Sequence, residues 1–425
     1  MDGRFVCTYA QNGTDVNLPV LRALEQFALK HKAEVLVQPG YYTRSFLLHD
    51  RESDWWDPSV AKYLLKDDIQ IGTQVKILGD LNILPSAKRP LGGIQKVSGE
   101  QCLVVFHPKR EFRALPGYGK YPRTAMTTGA VTYSNALGRI GYEARETHCF
   151  GACYVEPFGD GLFHLYDLNW NGEAIVHRSV AYYPNGNVEK LPCVARLGDL
   201  HFPHHDEIYI DAVASFLKPL DVDTVLVDDV LDFDTWNHHD RHNPFRSLEW
   251  TVREQLEGVS LFYKQLREKL SYVVAMHSNH DDHVDRWLRE TDWRTDMINR
   301  EVYLELALQS VRDPATPAIY NYLDQDWTDE FDSWGVTNVH GHQGPNGARG
   351  SANGFAQLGK PITIQHVHTP AILDRVYAGG TGCKMLDYTQ GSPSGWLQTL
   401  ILTTPPGEGY DYGTRQLLTC IEGHL

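Results

Sequence analysis

The chain has 425 residues, 42% of them hydrophobic and 22% charged, with a formal net charge of −15. That length exceeds what one hydrophobic core usually serves, so two domains are expected, and no run is long and apolar enough to cross a bilayer. With 39 basic against 54 acidic residues, a broad phosphate-binding face is not advertised, although bound divalent cations supply local positive potential that a residue count ignores.

Met1-Asp2-Gly3-Arg4 lacks the basic-then-apolar profile of an export signal, so a cytoplasmic location is expected. The seven cysteines are odd in number and scattered, which suits reduced thiols. Cys149 and Cys153 are the only close pair, and without a second pair at zinc-finger spacing they read as buried structural thiols. Histidine is the informative excess. Many of the 20 fall between His201 and His368, interleaved with Asp and Asn, where a metal site would concentrate them.

In chain order, Phe5 to Tyr9 reads as a strand, Gln11 to Thr14 as a turn, and Leu18 to Lys30 as an amphipathic helix with Asn17 as its N-cap. Glu34 to Val37 completes a β-α-β start, without a glycine-rich phosphate loop. From Val75 to His177 the pattern becomes short β-type runs: Val75 to Leu78, Cys102 to Phe106, Ala152 to Val155, Leu162 to Tyr166 and Ala174 to His177. The polar stretches His107 to Arg110 and Arg123 to Gly129 read as loops. A turn-rich link at Tyr183 to Asn187 sets the expected boundary between an N-terminal α/β, strand-rich domain (1–187), whose role the sequence does not give, and a second α/β domain (188–425).

In the second half, strand after strand ends in a metal-type residue. Val194 to Leu197 releases Asp199 and His201, and Thr224 to Val227 releases Asp229 and Asp232. After a helix over Ser247 to Leu270, Tyr272 to Met276 releases Asn279, His280 and Asp281. Helical segments follow over Val284 to Glu290 and Met297 to Val311, the latter with Leu304, Leu306 and Leu308 as its apolar content. Val336 to Val339 then leads to His340 and His342, and Ile362 to Ile364 to His366 and His368. Any single Asp-x-His has a bland explanation as a solvated loop, but five such strand ends do not, and mixed O and N donors suit Mn²⁺, Fe or Zn²⁺ better than Ca²⁺ or Mg²⁺.

In order and spacing, Asp199-x-His201, Asp229-x-x-Asp232, Asn279-His280-Asp281, His340 and His366-x-His368 resemble the motifs of the calcineurin-like metallophosphoesterases. The resemblance implies an αββα sandwich, two sheets flanked by helices, over 188–425. It implies two divalent metal ions, Mn first and Fe or Zn as alternatives. Asp199, His201 and His368 would bind one, Asn279, His340 and His366 the other, with Asp229 bridging. His280 would protonate the leaving oxygen or stabilise the transition state, Asp281 would orient its ring, and Asp232 and His342 would support the ligands. The chain departs from the family where glycine is usual, at Asp228, Ser278 and Gln365, which puts the loop conformations in doubt.

A narrower similarity, carried by Ser278 to Asp282, His340 to Ser351, Tyr388 to Trp396, Ala10 to Asn12 and Thr127 to Thr132, is to a tailed-phage branch that includes first-step DNA-transfer proteins. For a phage-encoded protein the expected location is the host cytoplasm. His239, Arg241 and His242, in a loop too polar for a core, and Arg349 are candidate substrate contacts for a phosphate or a base.

Three readings stay open. The first is a metal-dependent nuclease or phosphodiesterase acting on DNA. The second is a phosphomonoesterase or nucleotidase, in keeping with the acidic charge. The third is a DNA- or host-factor-binding protein whose metal site is not catalytic. Self-association, or phage or host protein partners, would engage the N-terminal domain.

Overall fold

The computed structural model describes residues 3–42, 55–159, 162–237, 250–386, 389 and 391–425. Numbered along the chain, its strands form three mixed sheets. The seven-stranded sheet has the order β12 (Val188–Lys190), β11 (Val180–Tyr182), β10 (Ile175–His177), β9 (Leu162–Trp170), β8 (Gly151–Phe158), β1 (Arg4–Gln11), β2 (Ala33–Gly40). The six-stranded sheet runs β16 (Trp327–Thr328), β15 (Val273–Met276), β14 (Asp221–Asp228), β13 (Pro192–Leu197), β22 (Gln398–Thr404), β23 (Thr414–Cys420). The ten-stranded sheet runs β17 (Glu330–Ser333), β18 (Val336–Val339), β19 (Ile362–Ile364), β21 (Val376–Ala378), β20 (Ala371–Leu373), β6 (Glu111–Leu115), β7 (Arg123–Thr127), β5 (Cys102–Val105), β4 (Val75–Leu78), β3 (Ile69–Ile71). The helices are α1 (Leu18–His31), α2 (Gly138–Glu146), α3 (Glu207–Leu217), α4 (Val252–Lys269), α5 (Asp281–Glu290), α6 (Arg300–Arg312), α7 (Ala318–Leu323) and α8 (Ala352–Ala356).

Alternation along the strands explains the layering, because successive side chains leave opposite faces. In β1, Val6 and Ala10 face Val20, Leu24 and Phe27 of α1, while Phe5, Cys7 and Tyr9 face Val104, Phe112 and Met126 of the ten-stranded sheet. In β14, Val225 and Val227 pack with Leu256 and Val259 of α4, and Leu226 with Phe331 and Trp334. The seven- and six-stranded sheets lie side by side, joined where Gln416 on β23 donates to the Asp167 carbonyl on β9 at 2.9 Å. Helices cover their outer face and the ten-stranded sheet their inner one. Phe355 of α8 covers part of that sheet's far side. Helices thus flank the sheets.

The helix caps follow local chemistry. Asn17 caps α1 through Val20 N, and Thr251 with Glu254 forms a capping box at the start of α4, as a Thr-x-x-Glu sequence favours. The position expected to divide the chain, 187/188, falls in the β11–β12 hairpin, and the ten-stranded sheet takes strands from both sides of it.

Three local expectations change. Arg123 to Thr127, expected as loop, is the internal strand β7: Ala125 and Met126 fill cores on its two faces, and burial outweighs the threonines' turn chemistry. In α6 only Leu306 of the three leucines is buried, together with Val302, while Leu304 and Leu308 are exposed. The β22–β23 hairpin was not anticipated, although its threonine- and leucine-rich runs carry the β signal. The cysteines are free, with Cys153 buried and Cys149 half-buried.

His107 is a buried and His148 a half-buried neutral ring. His107 Nδ1 accepts from the Lys109 amide at 3.0 Å while Nε2 meets Leu84 O at 3.1 Å, and His148 Nε2 meets Thr132 O at 2.8 Å. Burial pushes both down to about 4. The unfolded chain, with histidines near the ordinary value of about 6.5, then takes up protons first as the pH falls. Their contribution is complete above about pH 6.5 and is lost progressively down to about pH 4, on the order of 3 kcal/mol for each ring. Urea unfolding should show this slope, and His148→Gln, which keeps a donor for Thr132 O, should make it shallower by about one proton.

Candidate metal centre

Strands β13, β14, β15 and β16 are parallel neighbours, as are β18 and β19 in the facing sheet. The candidate residues follow the carboxyl ends of β13, β14, β15, β18 and β19, so both sheets deliver side chains to one end of the sandwich. That is where open α/β sheets hold ligands.

Asp199, His201, Asp229 and His368 are all buried and offer ligand atoms within 4.8 Å of one another; Asp229, His340 and His366 form a second such group. Asp229 belongs to both. Asn279 joins the second group, its Oδ1 lying 3.1 Å from His340 Nε2. All seven residues expected as ligands thus come together, from segments up to 169 positions apart in the chain (Asp199 to His368).

The polar accounting singles out the same place. Asp229 Oδ1 and Oδ2 and Asp199 Oδ1 are buried with no hydrogen-bond partner. The nearest ring nitrogens to Asp229 Oδ2, from His340 and His201, stand 3.3 and 3.7 Å away without hydrogen-bond geometry. Buried carboxylate oxygens without donors are costly unless a cation serves them. His201, Asp229, His366 and His368 have φ of 51, 43, 69 and 54°, a left-handed conformation rare outside glycine and asparagine that collects at functional sites.

Hydrogen bonds behind the ligands set the imidazole tautomers. His201 Nδ1 meets Asp232 Oδ1 at 2.7 Å, and His340 Nδ1 meets Asp228 Oδ1 at 3.1 Å, so in both rings Nε2 faces the centre. Asp228 is held by the fully buried Arg196, with Nε and Nη2 donating at 2.9 and 2.7 Å. The same guanidinium donates to Thr363 O and Val339 O of the facing sheet at 2.8 and 2.9 Å.

Burial opposes charge on His201 and His340, but the carboxylates around them raise both to about 9: Asp232, Asp229 and Asp199 for His201, and Asp229, Asp228 and Asp199 for His340. Burial, then the field of His340, lowers His366 to about 4. Burial likewise favours the neutral form of His368 and opposes the anionic form of Asp229, yet His340, His280 and His201 hold Asp229 well below the usual carboxylate range. The carboxylates thus favour the protonated forms of His201 and His340, and a divalent cation bound to the same donors would displace those protons.

The positions where glycine was expected have their own uses, and none adopts positive φ. Asp228 receives Arg196 and His340. Ser278 N and Oγ bond Asp281 Oδ2 at 2.8 and 2.9 Å. Gln365 donates to Leu197 O at 2.6 Å and packs over Gly379, where a Cβ would lie 2.0 Å from its Oε1.

One expectation is corrected. Asp281 does not orient His280: its Oδ2 is taken by Ser278 and by the Tyr320 hydroxyl at 2.6 Å, which anchors the start of α5. The ring of His280 is held by Asp232, with Nδ1 2.9 Å from its carbonyl and 3.3 Å from Oδ1. Asp232 also takes His201, and burial, offset by those rings, leaves it at about 2.

His342 is half-buried near His340 and His366, with ring centroids 5.5 and 6.3 Å away and a buried Nδ1 that lacks a partner. Arg349 is exposed on a loop whose backbone pairs with Gln343. His239, Arg241 and His242 lie outside the described residues.

Sequence reasoning missed Arg196 and Trp396. A charged residue inside Cys193-Val194-Ala195-Arg196-Leu197 needs a buried partner, which is a readable signal. Trp396, with its ring 4.3 Å from that of His368 and edge to face, carried none. Its loop is fixed by Ser394, whose backbone exchanges two hydrogen bonds with Gly117 of the β6–β7 turn at 3.0 and 3.1 Å.

The chain is 28% identical to Protein A1 of Escherichia phage T5 over 456 aligned positions, which take in 95% of this chain and 80% of that protein. No known protein-family model matches it.

Arg196→Met should lower the unfolding free energy by about 3–5 kcal/mol, because it leaves the buried Asp228 without its guanidinium. Urea unfolding with chelator present reads this directly.

Proposed function

We propose that the protein is a calcineurin-like, dinuclear-metal-dependent phosphoester hydrolase and that it acts on DNA as a phage nuclease or phosphodiesterase. The observation that carries the reading is Asp229, a buried carboxylate shared by two ligand groups with both oxygens unserved by the protein. The layering of sheets flanked by helices supports the αββα reading, and the likeness to Protein A1 of phage T5 supports a phage setting in a host cell.

The donor set fits two borderline divalent cations: Asp199, His201 and His368 for one, Asn279, His340 and His366 for the other, Asp229 for both. Bound there, two such ions would supply activation of water and polarisation of a phosphoryl group. The chain's own residues supply the rest. Asp232 and Asp228 fix His201 and His340 with Nε2 inward. Asp232 holds His280 by Nδ1, which leaves Nε2 to give a proton to the departing oxygen. Trp396 covers one side of His368.

The net charge of −15 favours a second reading, a phosphomonoesterase or nucleotidase, because the only strong positive potential would then come from the ions.

With Mn²⁺ at 100 times its Kd the wild-type chain should gain about 2.7 kcal/mol of stability for each ion bound, and Asp229→Ala should gain none. Incubation with Mn²⁺ separates the readings. Cleavage of labelled DNA, abolished by Asp229→Ala, supports the nuclease; phosphate release from a nucleoside monophosphate with DNA intact supports the second reading; neither points to a binding protein. His280→Ala should cost about 10²–10⁴-fold in turnover with metal content unchanged. Full turnover in that variant would remove His280 from the mechanism.

A further inference from the structure

The order of the ten-stranded sheet is a palindrome in chain number. From its centre, where β6 and β20 pair antiparallel, one side runs β6, β7, β5, β4, β3 and the other β20, β21, β19, β18, β17. Directions match at every step. β6–β7 and β20–β21 are antiparallel, β7–β5 and β21–β19 parallel, β5–β4 and β19–β18 parallel, β4–β3 and β18–β17 antiparallel.

The other layer repeats the match: β2, β1, β8, β9 and β14, β13, β22, β23 are each parallel, antiparallel, antiparallel in sequence. A helix links the first two strands of each set, α1 in one and α3 in the other. The last strands of the two sets, β9 and β23, meet, as an approximate two-fold relation requires.

We infer that β1–β9 are a second copy of the fold that bears the metal centre, kept as a covalently attached partner after losing its metal ligands. The ligand assignment in this inference rests on the proposed function; the repeat does not.

Loop hydrogen bonds set the two copies in register. Tyr9 N donates to Gly129 O and Tyr9 O accepts from Val131, while Asp199 N donates to Gly380 O and Asp199 O accepts from Gly382. Asn12 N to Gly40 O matches Phe202 N to Val230 O, and Thr128 N to Val105 O matches Gly379 N to Ile364 O. Tyr9 therefore stands where Asp199 does, Gln11 at His201, Pro39 at Asp229, Gly79 at His340, His107 at His366 and Lys109 at His368. One imidazole survives among six positions, and both of its nitrogens are committed to backbone. The strand that delivers Asn279, β15, has no counterpart among the described residues.

The replacement at the last position is informative. Lys109 is buried, its ammonium donates to Lys88 O at 2.9 Å, and it pairs with the Asp374 carboxylate, which belongs to the other copy. A covalently held cation stands where the other copy places a metal-type imidazole, and it ties the two copies together.

The test counts Mn²⁺ bound to the full-length, metal-stripped chain by equilibrium dialysis and follows urea unfolding. We expect two Mn²⁺ per wild-type chain, none in Asp229→Ala, and two in both His107→Gln and Lys109→Met. We also expect Lys109→Met to lower the urea midpoint with chelator present. Mn²⁺ retained by Asp229→Ala, or lost from His107→Gln, overturns the inference. If no variant binds Mn²⁺, the dinuclear reading falls and the unfolding data decide alone: a lowered midpoint for Lys109→Met sustains the conversion of the first copy's site into a clamp, and an unchanged one overturns it.

Discussion

Arg196 and Asp228 make the meeting of the two sheets a fixed geometry. The guanidinium leaves β13, grips the carboxylate at the end of β14 with two hydrogen bonds and gives two more to carbonyls of β18 and β19 in the facing sheet. A buried ion pair of this kind contributes little net stability against a hydrophobic pair, but it is intolerant of misregister, since any shift strands a charge. Here the register is what the site needs. Two of the five candidate loops come from the ten-stranded sheet and three from the six-stranded sheet, and Asp228 passes the constraint onward to His340.

The loops themselves carry strain. Four of the seven candidate ligands sit at positive φ without being glycine. Left-handed backbone at such residues costs on the order of 1–3 kcal/mol each and persists only where the surroundings over-determine it. Those surroundings can be named: the amides of residues 200, 201 and 202 bond to the carbonyls of Asp228, Asp229 and Val230, and the His366 amide bonds Asp199 Oδ2. Where the motifs that these loops resemble usually carry glycine, the chain has Asp228, which braces His340, Ser278, which bonds Asp281, and Gln365, which ties down the Leu197 carbonyl. The backbone freedom they give up is not used there, and the positive φ falls on the ligands instead.

Much of the site was legible because metal donors are chemically conspicuous. Asp, Asn and His at the ends of apolar runs stand out in one dimension, and the assembled groups contain all seven. The supports were harder to read. Asp281 and Asp232 both follow strand ends, and which carboxylate turns toward His280 depends on where Tyr320, some forty positions on, places its hydroxyl. The fold was legible strand by strand but not as a whole. Short β-type runs located β1, β4, β5, β13 and β14, whereas β7 was hidden by threonines that read equally well as turn formers, and the pairing of β6 with β20 joins residues about 260 positions apart, which no local pattern encodes.

That long-range pairing bears on what the first half of the chain contributes. With β6 on β20 and β9 beside β23, neither copy has a free inner edge, and the β6–β7 turn of the first copy holds Ser394 and, two residues on, Trp396 against His368. A partner that only stabilised the second copy would not need to touch the loop over its candidate metal ligands. One that is covalently attached, stripped of its own ligands and in contact with that loop can shape one wall of the cleft without competing for ions. The N-terminal half is therefore best understood through the site it borders rather than as a separate module with its own ligand.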